Sequence, residues 1–201
     1  MSSIKLTADS NGGTFEIKAP ASSSNTRVLT LPDAANGTVL TTTSPKAGNI
    51  LQVKQTLKTD TFSSNTFGYT NITGLSVSIT PSSSSSKILL IVHINAGTPS
   101  TERGGFRIFK DGTTAVGSGD AAGNRITGIG CIYMGSDATG SRHIGATVLD
   151  TPGDTNAHTY AVQVSTLANS NFVYINRTEN DGNSYPFMRS SSSITALEVA
   201  A

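Results

Sequence analysis

The sequence predicts an all-β protein: a short-stranded N-terminal segment followed by an antiparallel β-sandwich of jelly-roll type. Three observations predict it. Ser, Thr, Asn and Gly make up 89 of the 201 residues and charged side chains only 13%, against ~25% in average soluble domains. Solubility then rests on hydroxyls, amides and backbone, as in strands with Thr and Ser on the solvent side and turns rich in Gly and Asn. Apolar residues alternate with polar ones in many short runs of period two. No segment carries a sustained 3.6-residue apolar period with caps, so little helix is expected.

The first 48 residues hold few large apolar side chains: Ile4, Leu6, Phe15, Ile17, Val28, Leu29, Leu31, Val39 and Leu40. That is too few for an independent core. Ile4 with Leu6, Phe15 with Ile17, and Leu29 with Leu31 each mark a short strand of period two. Such strands must complete their ladders against copies of the chain or a docking protein. The turn-forming stretch Ser44-Pro45-Lys46-Ala47-Gly48-Asn49 reads as a linker. Residues 1–48 are therefore expected to attach or trimerise the protein, and residues 49–201 to form its head.

In the head, residues 50–58 (ILQVKQTLK) alternate, and a short strand is expected over 65–70. Leu75, Val77 and Ile79 point one way and Ser76, Ser78 and Thr80 the other, until Pro81 and a serine run close the strand. Residues 88–94 (ILLIVHI) are the most apolar stretch of the chain. Further strands are expected over 106–110, 126–134, 143–149, 158–166, 172–176 and 193–199. Asp111-Gly112 is a hairpin signal. Strands at this spacing favour a jelly-roll sandwich, with a small closed barrel as the alternative.

Residues 88–94 carry a second expectation. Ile88, Leu90, Val92 and Ile94 form one face of the strand; Leu89, Ile91 and His93 form the other. In a sandwich one face usually meets water, so a neighbouring subunit or the chain's own loops must cover the second. Two aliphatic side chains buried there contribute about 3–6 kcal/mol. Leu89, Ile91 and His93 are accordingly the expected subunit interface.

The balance of 14 basic and 13 acidic residues argues against a nucleic-acid partner, which requires a basic face. No apolar run approaches the ~18 residues of a membrane span, and no secretory leader is evident. Cys131 has no partner for a disulfide and reads as a small buried residue. His93, His143 and His158 show no local metal-ligand spacing. His143 and His158 bracket a loop with Asp150 and Asp154 and are expected to be solvated at its rim; His93 is expected to be held by a hydrogen bond. No nucleophile elbow or carboxylate pair stands out. The expectation is no catalytic residue, no cofactor and no enzyme. Among Tyr and Arg residues outside clear strands, residues 180–189 (NDGNSYPFMR) form the best recognition loop, with Tyr185, Phe187 and Arg189 as receptor contacts.

Ser3-Ile4-Lys5-Leu6-Thr7, Gly12-Gly13-Thr14, Ile17-Lys18-Ala19-Pro20, Leu29-Thr30-Leu31-Pro32-Asp33 and Gly37-Thr38-Val39-Leu40 resemble the N-terminal segment of tail-fibre and other virion structural proteins of marine tailed phages, cyanophages among them. Residues 50–53, 73–81 and 86–89 are similar to a domain found in the same proteins. The resemblance implies a homotrimer located in the virion, made in the host cytoplasm. Its N-terminal part would dock on other virion proteins, and its β-rich head would face outward toward a host glycan or protein. The implied function is a short tail-fibre or tail-appendage protein; a capsid decoration or head-fibre protein is the alternative, and a glycan-degrading enzyme the alternative of another class.

Overall fold

The computed structural model describes residues 3–7, 14–18 and 45–201, the last without 138, 169 and 170. The chain divides into two compact units, Met1–Val39 and Leu40–Ala201. In the first, β1 (Ser3–Thr7) and β2 (Thr14–Lys18) pair antiparallel, with Ser3 opposite Lys18 and Thr7 opposite Thr14. The strand expected around Leu29 and Leu31 lies outside the described residues.

The second unit is built from strands alone among the described residues. They are β3 (Ile50–Lys58), β4 (Phe62–Ser64), β5 (Thr70–Ile79), β6 (Lys87–Gly97), β7 (Arg103–Lys110) and β8 (Thr114–Val116). There follow β9 (Gly130–Tyr133), β10 (Arg142–Asp150), β11 (His158–Thr166), β12 (Val173–Ile175) and β13 (Ser192–Val199). One sheet has β13 and β10 on either side of β6, β3 outside β13, and the short β12 and β4 continuing from the end of β6. The other has the order β5-β11-β7, with β8 and β9 both on the free edge of β7. All these ladders are antiparallel. The chain crosses repeatedly between the two sheets, and the last strand of this unit, β13, lies beside its first, β3, as in a jelly-roll sandwich. Gly48 donates to the Ala200 carbonyl (2.8 Å) and Ala200 to that of Asn49 (2.9 Å), tying the entry of the unit to its end.

Period-two alternation turns one side of each sheet inward. Ile88, Leu90, Val92 and Ile94 of β6 meet Leu75, Val77 and Ile79 of β5, Phe106 and Ile108 of β7, and Tyr160, Val162 and Val164 of β11 in one core. Full burial contributes about 1.5–3 kcal/mol for each large aliphatic or aromatic side chain.

Local departures from the expected strands have local causes. The strand expected over 65–70 is replaced by β4 and an early start of β5. Ile72 and Leu75 are both buried although three apart, because β5 bulges there: five steps from Asn71 to Ser76 match only two on β11, from Gln163 to Ala161, with Gly74 (φ 78°) inside the bulge. Only residues 130–133 of the expected 126–134 strand pair with β7. At Gly128 a Cβ would lie 2.2 Å from the Phe106 carbonyl oxygen, so the chain passes there by close backbone contact. The Asp111-Gly112 hairpin forms, with φ of 52° and 67° as a type I′ turn requires and the Thr113 amide on the Lys110 carbonyl at 3.0 Å. It leads into β8, which the sequence pattern did not suggest. The serine run after Pro81 is anchored by the buried Glu198, whose carboxylate accepts from the amide and hydroxyl of Ser82 and from Gln52, each at 2.6 Å. Burial pushes that carboxyl up, but these donors outweigh it and hold its pKa below the ordinary value.

Candidate functional site

The outer face of the first sheet has two characters. Its inner counterpart on β6 is fully buried, whereas Leu89 and Ile91 are half-buried and His93 is exposed. Register sets what surrounds them. Leu89 lies opposite Leu197 of β13 and Leu149 of β10, and Leu197 lies opposite Val53 of β3. Val53, Leu197, Leu89 and Leu149 therefore form one apolar row across four strands, roughly 15 Å wide at ~4.8 Å per strand. Val53 is 57% and Leu149 52% exposed. The next row, Gln55, Thr195, Ile91 and Thr147, is mostly polar; the third holds Leu57, Ser193, His93 and Gly145. The sequence had identified Leu89 and Ile91 but not Val53, Leu149 or Leu197, because only strand order and register place those three in the same row.

The histidines fall into two separate groups. His93 Nδ1 and His143 Nε2 are 2.9 Å apart, with ring centroids at 5.1 Å. His143 is thus paired with His93, 50 residues away, rather than with His158. His158 corrects the expectation of a solvated rim position: it is buried, with Nδ1 donating to Asp111 (2.7 Å) and Nε2 to Asp154 (3.1 Å). Ionised carboxylates only accept, so this arrangement favours the imidazolium, which can donate from both ring nitrogens. The Asp111 hydrogen bond raises the imidazole pKa, burial opposes it, and Asp154 adds to the rise. With both nitrogens engaged, His158 offers neither a base nor a metal ligand. Nearby, Asp150 accepts from Tyr160 (2.7 Å) and Lys110 (3.0 Å), which links β10, β11 and β7. Burial and that carboxylate push the Tyr160 phenol up, so this cluster holds the strands together. No group of three or more His, Cys, Asp or Glu side chains is placed to share a metal ion among the described residues.

Residues 181–189 form an exposed loop between β12 and β13. Arg189 grips Asp181 through two hydrogen bonds, Nε to Oδ1 at 2.7 Å and Nη2 to Oδ2 at 2.6 Å. The fork-on-fork geometry pins the two ends of the loop together. Tyr185 at its tip is fully exposed and Phe187 half-buried, and together with Asn183 and Ser184 they line a cleft of about 570 Å³. The structure thus brings Tyr185, Phe187 and Arg189 into one surface feature.

Cys131 is exposed, not buried as expected. On β9 the alternation sends Ile132 inward, which turns Cys131 outward. It borders an apolar cleft of about 410 Å³ with Tyr69, Ile126 and Leu167.

No protein-family model matches the chain, and none of the curated proteins matches it. Solved structures of the infectious bursal disease virus are similar in part. The Gt strain structure aligns over 98% of this chain and 46% of that one, at 16% identity and a TM-score of 0.39. A mutant VP2 protein of the same virus, from derived T=1 particles, aligns over 98% and 44%, at 15% identity and 0.39. The chain spans less than half the length of the chains it matches. The jelly-roll assignment rests on the strand order described above.

Proposed function

We propose that the protein is a structural and interaction component of a phage particle: a short tail-fibre or tail-appendage protein that assembles as a homotrimer and contacts the host surface. The observation that carries this reading is the apolar row Val53, Leu197, Leu89 and Leu149 on the outside of the first sheet. Nothing in a solvated monomer rewards such a row. A sister copy laid over it removes the exposed half of Val53 and of Leu149 from water, about 1 kcal/mol for each. Leu89, Ile91 and His93 are in this reading the centre of the subunit contact, and the resemblance of residues 3–95 to phage virion proteins supplies the threefold symmetry. Residues 1–48 are the docking segment for other virion proteins, and residues 49–201 the head. The loop bearing Tyr185, Phe187 and Arg189 supplies the host contact.

Few charges on the protein suit such an assembly. High salt screens ion pairs over a few ångströms but leaves apolar contacts intact.

Immunogold labelling of intact particles tests the assignment. Label on tails is the expected result, label on capsids identifies a decoration or head-fibre protein, and unlabelled particles overturn the virion reading. Tyr185→Ala should lower host adsorption severalfold while shifting stability by no more than about 0.5 kcal/mol, the usual range for surface changes. Unchanged adsorption removes the loop from the host contact.

A further inference from the structure

We propose that the cleft beside Gly105, on the outer face of the second sheet, is a binding site for an amphipathic monoanion: a carboxylate carried on a medium-length alkyl chain. The site is independent of the virion reading. Register builds its floor. Ser165 of β11, Gly105 of β7 and Cys131 of β9 lie opposite one another in one row, and all three side chains are small. The row runs about 10 Å across three strands at ~4.8 Å per spacing. The rows on either side are taller: Gln163 with Arg107, and Arg103 with Tyr133. A trough one side-chain row wide is left between them, and an extended alkyl chain is slender enough to lie along it.

The walls are preformed. Tyr69 donates its hydroxyl to the Thr127 carbonyl (2.8 Å), and the Ile129 amide donates to that of Phe106 (2.8 Å). These bonds hold the segment bearing Arg125 and Ile126 against the sheet. The Gly68 amide donates to Ser165 Oγ (3.2 Å) and shuts the trough over β11. Ser165 is buried and Cys131 exposed, so the other end is open. A Cβ on Gly105 would stand 3.3 Å from Ile126 Cδ1, 3.3 Å from Leu167 Cδ2 and 3.4 Å from the Tyr69 hydroxyl. The glycine keeps the floor clear where three walls converge.

Charge selects the headgroup. Of the described residues that line the cleft, Arg125 alone is charged. It is exposed, and its one hydrogen bond among the described residues is long, Nη1 to the Ala122 carbonyl at 3.3 Å. Arg103 and Arg107 flank Gly105 on the same side of β7, so a cation stands on each side of the trough as well as at its rim. Guanidinium forks pair with carboxylates, and apolar walls with a few polar groups are the usual make-up of a small-molecule site. A neutral alkyl ligand would leave Arg125 unused; a short anion would leave Ile126 and Leu167 in water.

Cys131 is the one cysteine of the chain and stands at the open end, so its alkylation by neutral iodoacetamide reports occupancy. The full chain is treated in parallel with sodium octanoate, 1-octanol and sodium acetate. Octanoate should slow alkylation saturably, octanol should bind more weakly, and acetate should give no protection. Arg125→Gln, at an exposed position, should weaken octanoate about threefold to tenfold, the range of a partly exposed charge pair, and leave octanol unchanged. Gly105→Ala places a methyl group among the three walls and should weaken both; should that variant fail to fold, Arg125→Gln carries the test. Amide ¹H–¹⁵N shifts on adding octanoate should be confined to residues around the cleft. The proposal is overturned by absence of saturable protection, by equal protection from octanoate and octanol, by octanoate binding indifferent to Arg125→Gln, or by shifts spread through the core.

Discussion

The outer faces of the two sheets are made from the same residue types to different ends. On the second sheet several polar side chains find a neighbour on the next strand. The hydroxyls of Ser78 and Thr159 share a hydrogen bond at 2.7 Å, Gln163 donates to Asn71 at 2.7 Å, and Arg107 donates to Gln163 at 2.6 Å. The Arg107 guanidinium lies over Tyr69 and Phe109, 4.2 and 4.1 Å from their ring centroids. That face satisfies itself from strand to strand. The first sheet carries an apolar row and a histidine pair where the second carries amides and hydroxyls. A face finished internally can stay in water at no cost; an apolar row across four strands gains by being covered.

The sharpest way to break the comparison is to replace Leu89 and Ile91 together by Ser. Light scattering should then show soluble, folded monomers in place of the trimer expected of the unaltered chain; trimers surviving the change would move the subunit contact elsewhere. Next in size is a pair of substitutions one residue apart. Leu90→Ala, at a fully buried position, should cost about 2–5 kcal/mol in urea unfolding. The same change at half-buried Leu89 should cost about 1 kcal/mol or less in the monomer. On the second sheet, Arg107→Ala removes a charged hydrogen bond and two ring contacts and should cost about 1–3 kcal/mol; a smaller loss would mean that water replaces the guanidinium without penalty.

The smallest expected effect is a pH slope from His158. Its folded pKa lies above the ordinary histidine value of 6.5, so the folded state binds the proton more tightly than the unfolded one. The stabilisation is fully present below pH 6.5 and is lost as pH rises through the folded pKa. Melting temperature followed from pH 6 to 9 should fall more steeply for the native chain than for His158→Gln. Parallel curves would show that the Asp111 and Asp154 contacts bind no extra proton.

Much of this was legible in the sequence, because alternation reports which side of a strand faces inward. The two faces of residues 88–94 separate by parity, and so does the inward set Leu75, Val77 and Ile79. Parity does not say which strand lies next to which. Val53, Leu149 and Leu197 come from segments up to 144 positions apart, and a row across them exists only once β3, β13, β6 and β10 are in register. The histidine pair was hidden for the same reason. Cys131 was misplaced because a glycine-flanked strand of four residues gives too short a pattern to fix its phase. The serine run after Pro81 reads as a solvated loop, and only its hydrogen bonds to distant Glu198 show that it is anchored.

The pairing of Gly48 and Asn49 with Ala200 has a geometric consequence. The polypeptide enters and leaves the sandwich at one pole, beside the start of β6 and the end of β13. The Tyr185 loop precedes β13, so it emerges at the opposite pole, roughly 25 Å away along a strand of eight residues. A fluorophore or affinity tag fused after Ala201 would therefore sit at the pole where the chain enters the sandwich and leave the Tyr185 loop unobstructed.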